Sequence, residues 1–232
     1  MENEIFSMAD SSADEAKKRY ERKFFISDFN LPEVISLIKL HPACFRENYP
    51  ERTINNIYLD SFDMKDYQNN LAGIGKRLKT RIRWYGDGAI NEPILEFKLK
   101  ENLLGSKLSY PLICFQLGKN LNATVQKAIR RSEIPALLKS YLSGLRCSSI
   151  NGYSRRYYES ADKAIRLTLD SDIRFYSDNK KAIDKDNSSL ILELKYNQPH
   201  DERGREISNR FPFRATKISK YAVGVEKSYL FF

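Results

Sequence analysis

Residues 76–85 read KRLKTRIRWY, and that alternation constrains the chain more than any other feature. A β-strand sends successive side chains to opposite faces. Arg77, Lys79, Arg81 and Arg83 therefore share one face, and Leu78, Thr80, Ile82 and Trp84 the other. The pattern recurs along the chain. In ILEFKLK, Glu96, Lys98 and Lys100 oppose Leu95, Phe97 and Leu99. In AIRLTLD, Arg166, Thr168 and Asp170 oppose Ile165, Leu167 and Leu169. In LILELKY, Glu193 and Lys195 oppose Leu192, Leu194 and Tyr196. The first of the series, RYERKFFI, sets Arg19, Glu21 and Lys23 against Tyr20, Arg22, Phe24 and Ile26.

A charged strand face is ordinarily the solvated side of a half-buried sheet. That account suits any one of these strands. It suits the set less well, because the charged faces are dense in Arg and Lys where a solvated face mixes Thr, Ser and Gln with its charges. Like charges on neighbouring strands repel, and a polyanion among them would relieve that cost. If the sheet closes into a barrel, the charged face becomes a lumen and the apolar alternates pack outward against helices. The carboxylates on the same face offer hard oxygen ligands for Mg²⁺ or Mn²⁺, metals that bridge phosphates. Cations and a metal together are what phosphoryl transfer uses, since that chemistry is mainly positioning and charge stabilisation.

The remaining sequence fits one domain of 232 residues, long enough for a substantial core. The N-terminal 18 residues, acidic and without a basic-then-apolar pattern, read as a mobile tail rather than a signal peptide, and the domain as residues 19–232. Helices are expected at LPEVISLIKLH, after Ser61, over 121–143 with a break at Pro135, and at the C-terminus, with a polar loop at DNKKAIDKDN. Lys+Arg 39 against Asp+Glu 30 gives +9, which points to an acidic partner: phosphate-rich small molecules, polyphosphate, nucleic acid or an anionic surface. No apolar run approaches the length of a membrane span. Cys44, Cys114 and Cys147 have no metal-ligand spacing and read as reduced thiols of a cytoplasmic protein. Two histidines, His41 and His200, argue against zinc sites and His-based triads. KRLKTRIR taken alone resembles a nucleic-acid patch, but strict alternation and a narrow lumen argue against a duplex.

RYERK resembles the Glu-x-Lys end of the E-x-E-x-K signature of triphosphate tunnel metalloenzymes (the CYTH superfamily). Its R-x-E-x-K form resembles the VTC branch, the polyphosphate polymerase domain of the vacuolar transporter chaperone complex. IYLDS, KTRIRWYGD, LEFKLK, YSRRYYE, IRLTLDSDI, LELKY and KISKY follow in order, so the resemblance runs over residues 19–229. It implies an α+β fold: an antiparallel eight-stranded β-barrel with a charged lumen and helices packed outside. It also implies ATP as substrate, Mn²⁺ or Mg²⁺ as cofactor, and transfer of the γ-phosphate to a growing polyphosphate chain.

By matching motif, the resemblance implies phosphate binding by Lys23, Arg81, Arg83, Lys98, Arg155, Arg166, Lys217, Ser219 and Lys220, with Tyr153 beside them. It implies Glu193 as metal ligand, with Glu21 a second candidate. Lys79 and Lys195 fit the lumen face by alternation, and Lys107 follows from a looser motif. Arg19 stands where the wider signature has its first acid, which shifts metal binding toward Glu193 and Glu96. No stretch reads as a regulatory SPX-like domain or a membrane anchor, so the expectation is a catalytic domain alone. The readings that compete are a tunnel triphosphatase acting on ATP or inorganic triphosphate, with Glu21 or Glu96 to orient water, and a module that binds polyphosphate without turnover. Pyrophosphate and orthophosphate are further expected ligands.

Overall fold

In the computed structural model, which describes residues 2–12, 19–87, 90–176, 182–186 and 188–229, the alternating strands close on themselves. The ring comprises β1 (Arg19–Ile26), β2 (Arg46–Asp60), β3 (Lys76–Tyr85), β4 (Ile94–Glu101), β5 (Leu104–Pro111), β6 (Arg146–Glu159), β7 (Arg166–Tyr176) and β9 (Leu190–Asn197). Every pairing is antiparallel, in the order β1-β5-β4-β3-β2-β6-β7-β9 and back to β1. The eight-stranded ring that the resemblance implies is thus present. Two short strands, β8 (Ala182–Asp186) and β10 (Ala215–Thr216), extend it at β7 and β1. β8 lies within the stretch expected as a polar loop. The seam between β1 and β5 is narrow, two residue pairs long, with Arg19 opposite Gly105 and Tyr20 opposite Leu104.

The apolar alternates point outward, as the inside-out pattern requires. Ile57, Leu78, Ile82, Trp84, Leu95, Phe97 and Leu99 form one core with helices α4 (Leu121–Arg131) and α5 (Ala136–Ser143). Phe24, Leu167, Leu169, Leu192 and Leu194 form a second with α2 (Leu31–Lys39) and α6 (Asp201–Asn209). Asn30 starts α2 with a reciprocal capping box: its side chain accepts from the Glu33 N–H, and Glu33 accepts from the Asn30 N–H. His41 is part of this wall. Its Nδ1 accepts the Ala43 N–H and its Nε2 donates to the Ile207 carbonyl.

Residues 2–12, expected as part of a mobile tail, instead form helix α1 (Glu2–Ser12). Ile5 and Phe6 are buried in the first core, and Lys76 sits 4.4 Å from the Phe6 ring centroid. A run as short as EIF shows too little periodicity to announce that packing in the sequence. At one end of the ring, α3 (Lys65–Leu71) and α7 (Lys220–Tyr229) pack together. Tyr221 of α7 stacks on Tyr58, with ring centroids 4.9 Å apart. Close approach here demands glycine: a Cβ on Gly224 would lie 2.2 Å from Ser149 Oγ.

Candidate phosphate-binding tunnel

Inside the ring is a cavity that, with its opening, encloses about 600 Å³. Its walls carry eight basic side chains, Lys23, Lys79, Arg81, Arg83, Lys98, Arg155, Lys195 and Lys220, around one carboxylate, Glu193. Tyr58, Tyr153, Ile191, Ile218 and Ser219 complete the lining. Strand pairing dictates this crowding: Lys79 stands opposite Lys98, which stands opposite Lys107, on three consecutive strands.

The arginines are fixed by acids and amides set behind them. Arg81 is buried against Glu96, with Nε 2.6 Å from Oε2, while Glu96 Oε1 accepts from Lys107 Nζ at 2.9 Å. Arg83 donates to Asn56 Oδ1 and to the Tyr153 hydroxyl, each at 3.1 Å. Asn56 in turn donates to Asn151 Oδ1 at 3.0 Å. Arg155 makes a two-pronged contact with the fully buried Asp170, one arm at 2.7 Å, and Lys220 shares that carboxylate. Lys79 donates to Ser219 Oγ at 2.9 Å, which ties the start of α7 to the wall. Glu193 lies 2.8 Å from Lys195, 3.2 Å from Lys23 and 3.8 Å from Arg155. Glu21 is held more loosely, 3.7 Å from Lys23 and 3.9 Å from Lys98.

Proton affinities record an excess of positive charge. Burial, then the nearby Lys23, Lys98, Arg77 and Lys100, hold Lys79 well below the usual lysine range. At Lys98 the Glu21 carboxylate favours the charged form, but burial with Arg81 and Lys195 outweighs it and brings the ammonium down to about 8. Burial raises the Tyr153 phenol, yet Arg155, Arg83 and Lys220 overcome it and lower the group to about 7. The carboxylates shift in the same direction. Burial opposes ionisation of Glu21, Asp170 and Glu193, but the surrounding cations bring Glu21 and Asp170 to about 2 and hold Glu193 well below the carboxylate range. All are therefore weak bases.

Of the residues expected at the site, the cavity wall includes Lys23, Lys79, Arg81, Arg83, Lys98, Tyr153, Arg155, Glu193, Lys195, Ser219 and Lys220. Glu21 sits beside them through its two lysines. Glu96, expected as a metal ligand, has both oxygens engaged by Arg81 and Lys107, which makes it a holder of cations. Lys107 reaches Glu96 with its side chain half exposed. Arg166 and Lys217, like Glu21, Glu96 and Lys107, are not on the wall. Arg166, at the first position of β7, is 59% exposed and pairs with Glu159 at 3.6 Å. Lys217 is exposed on the link between β10 and α7. Tyr58 and Asp170 carry structural weight that the motif reading did not assign them. Asp170 was legible as a lumen residue by alternation, but nothing in the sequence announces its burial behind Arg155.

A metal fits here only with help. Glu193 and Glu21 are near enough for each to disfavour ionisation of the other. No cluster of three or more potential metal-ligating side chains exists among the described residues. Mg²⁺ and Mn²⁺ sites built on one or two carboxylates complete their shell with substrate phosphates and water, and that donor set is what Glu193 and Glu21 provide.

A closed antiparallel ring with cations lining its lumen and helices outside defines a triphosphate tunnel protein. The chain belongs to the VTC domain family, which it matches over residues 18–229. No curated protein matches it by sequence. Among solved structures it is similar to the adenylyl cyclase-like protein HpAC1 from Hippeastrum, for which a dominant triphosphatase activity is described. The TM-score is 0.51 at 14% identity, covering 90% of this chain and 95% of that one. A Pyrococcus horikoshii OT3 protein gives a TM-score of 0.49 at 14% identity, over 91% of this chain and 99% of its own. Such distant identity bears on fold alone. No helix among the described residues is long and apolar enough to cross a membrane.

Proposed function

We propose that this chain is a metal-dependent polyphosphate polymerase that transfers the γ-phosphate of ATP to a polyphosphate chain inside the tunnel. One observation carries the reading: eight cations surround a lumen whose carboxylates are all ion-paired and weakly basic. Hydrolysis is aided by a group that orients the attacking water and accepts its proton. Transfer to phosphate needs no such group, because the attacking terminal oxygen is already anionic at neutral pH. Lys79 and Tyr153 have labile protons only while the lumen is empty, since a bound polyanion favours their protonated forms.

The arginines would hold the triphosphate, Arg81 and Arg83 from β3 and Arg155 from β6, the two strands that flank β2. Lys23, Lys98 and Lys195 would neutralise charge on the transferred group. Glu193, with Glu21, would hold Mn²⁺ or Mg²⁺. The chemistry such a metal would supply is Lewis-acid neutralisation of the charge that develops on the phosphates.

The test is product analysis after incubating purified protein with ATP and Mn²⁺. Chains of phosphate are expected; orthophosphate alone refutes transfer and leaves a tunnel triphosphatase. Glu193→Ala is expected to abolish turnover and largely spare anion binding. Wild-type protein that binds anions but turns over no nucleotide with any metal would be a binding module.

A further inference from the structure

One constellation near the tunnel is unused by that reading. Arg52 of β2 lies 5.5, 5.6 and 5.9 Å from the ring centroids of Tyr49, Tyr85 and Tyr157. Register places this group at the end of the lumen opposite α7. Along β3, Lys79 contacts Ser219 beside α7, then Arg81, Arg83 and Tyr85 follow on the same face. Tyr85 lies roughly 7 Å beyond Arg83, at two residues of strand rise. Arg52 stands directly opposite Arg155 in the β2–β6 ladder. Tyr157 is close enough to Arg155 and Arg83 for both charges to act on its phenol, against the burial that raises it.

Three features set the cluster apart from an ordinary surface staple. Arg52 makes no ion pair among the described residues, although Glu51 beside it pairs with Arg156 at 2.7 Å. Tyr49 and Tyr85 remain 56% and 41% exposed, so the rings are not consumed by packing. Tyr85 has no aromatic partner among the described residues, whereas Tyr49 and Tyr157 already meet edge to face at 6.0 Å. Among the described residues the end flanked by α7 has no such arrangement: there Tyr58 and Tyr221 are buried against each other.

We propose that Tyr85, Tyr157 and Arg52 form a stacking platform for the base of a nucleoside triphosphate whose phosphates occupy the tunnel. Aromatic rings and a guanidinium plane stack on any base, because every base has a π-face. An inorganic polyanion has nothing to stack. The platform therefore separates nucleotide from inorganic triphosphate, and it reads no base edge, so ATP and GTP bind alike. This rests on triphosphate binding in the tunnel, as proposed above.

The experiment is calorimetric titration of the full chain with ATP, GTP and inorganic tripolyphosphate, for wild type, Tyr85→Leu and Tyr85→Phe. Loss of one stacking partner is expected to weaken ATP and GTP about tenfold. Tripolyphosphate should stay within about twofold of wild type, and Tyr85→Phe, which keeps the ring, should behave as wild type. Equal losses for ATP and tripolyphosphate would overturn the platform, and so would ATP binding indifferent to Tyr85→Leu; in both cases tunnel binding survives. A wild type that binds none of the three ligands removes the tunnel reading itself, and the platform with it.

Discussion

Binding a triphosphate to this tunnel should consume protons, and the number can be worked from the structure. In the empty lumen Lys98 titrates at about 8 and Tyr153 at about 7, and Lys79 lies well below the lysine range. Each is depressed by neighbouring cations together with burial or against it, so a polyanion placed among them raises all three. At pH 8.5 a lysine of pKa about 8 is only about one quarter charged, so Lys98 takes up roughly 0.75 proton on binding, and Tyr153 can take up nearly one. Together these two give about 1.7 protons, and Lys79, held well below the lysine range, adds to that. At pH 6.5 Lys98 is already charged and Tyr153 mostly neutral, so uptake from these two falls below about 0.3.

The sign follows from linkage. Groups that hold protons more tightly in the complex make affinity greatest below their free-state pKa values. Affinity is then lost as pH rises through about 7 to 8, and each proton taken up lowers it about tenfold per pH unit. Calorimetry of tripolyphosphate binding in buffers of differing ionisation enthalpy measures the uptake directly. Lys98→Met should reduce the pH 8.5 value by roughly 0.75. An uptake below about 0.3 proton at pH 8.5 would show that the empty lumen does not carry unrelieved positive charge, and the electrostatic basis for a polyanion ligand would go with it.

Two further perturbations probe the frame around the tunnel. Asp170→Asn leaves the Arg155 guanidinium and Lys220 without their buried carboxylate, which should cost about 3–5 kcal/mol in thermal unfolding; tripolyphosphate should raise the variant's Tm more than the wild type's, and an equal rise would mean that Arg155 does not face the ligand. Asp66 is buried with one carboxylate oxygen unpartnered among the described residues, and burial, then Asp60 and Glu2, raise it to about 8. The folded state thus holds a proton the unfolded chain releases near pH 4, so the stability tied to this group is full at low pH and declines up to about pH 8; Asp66→Asn should raise Tm at pH 8 more than at pH 5, and an identical change at both would refute the buried-acid account.

The lumen was legible wherever strict alternation ran unbroken over a strand buried on its outer side. That is why Lys79, Arg81 and Arg83 of β3 and Glu193 of β9 fall where period two puts them. Where the pattern was thin it failed. Only Leu108 of β5 is buried, so its sequence carries almost no amphipathic signal, and the strand was not foreseen. In β7 the face changes partway. Thr168 and Asp170 point inward, then a bulge with Asp172 at φ 53° shifts the phase, and Ile173 and Phe175 face the same interior cluster as Tyr153 and Ile191. A parity rule read along the sequence cannot see a residue that falls out of register. The Arg52 cluster was missed for a related reason: ENYPER holds a proline and carries charges on both parities, so nothing in it announces a strand, although residues 46–52 form the first half of β2.

The four carboxylates in and behind the lumen wall divide by how firmly they are held, and the division bears on chemistry. Glu96 and Asp170 each engage an arginine with at least one contact of 2.6–2.7 Å, plus a lysine. Such planar, hydrogen-bonded pairs orient a guanidinium and are expensive to break. Exchanging either acid for a metal would strand an arginine, so these acids belong to the frame. Glu21 meets only lysines, at 3.7 and 3.9 Å, and Glu193 meets Lys195 at 2.8 Å but Lys23 and Arg155 at longer range. A lysine is a flexible point charge that can swing to a phosphate without losing a fixed geometry. When a polyanion enters, Lys23, Lys98 and Lys195 can move to it and free Glu193 and Glu21 for a cation. The tunnel would thereby couple substrate and metal: each would bind better after the other, because the lysines that neutralise the acids in the empty lumen are the ones the phosphates would recruit. Metal affinity of the free protein should accordingly be weak and rise when tripolyphosphate is present at saturation. A metal affinity unchanged by bound tripolyphosphate would show that the acids were never masked.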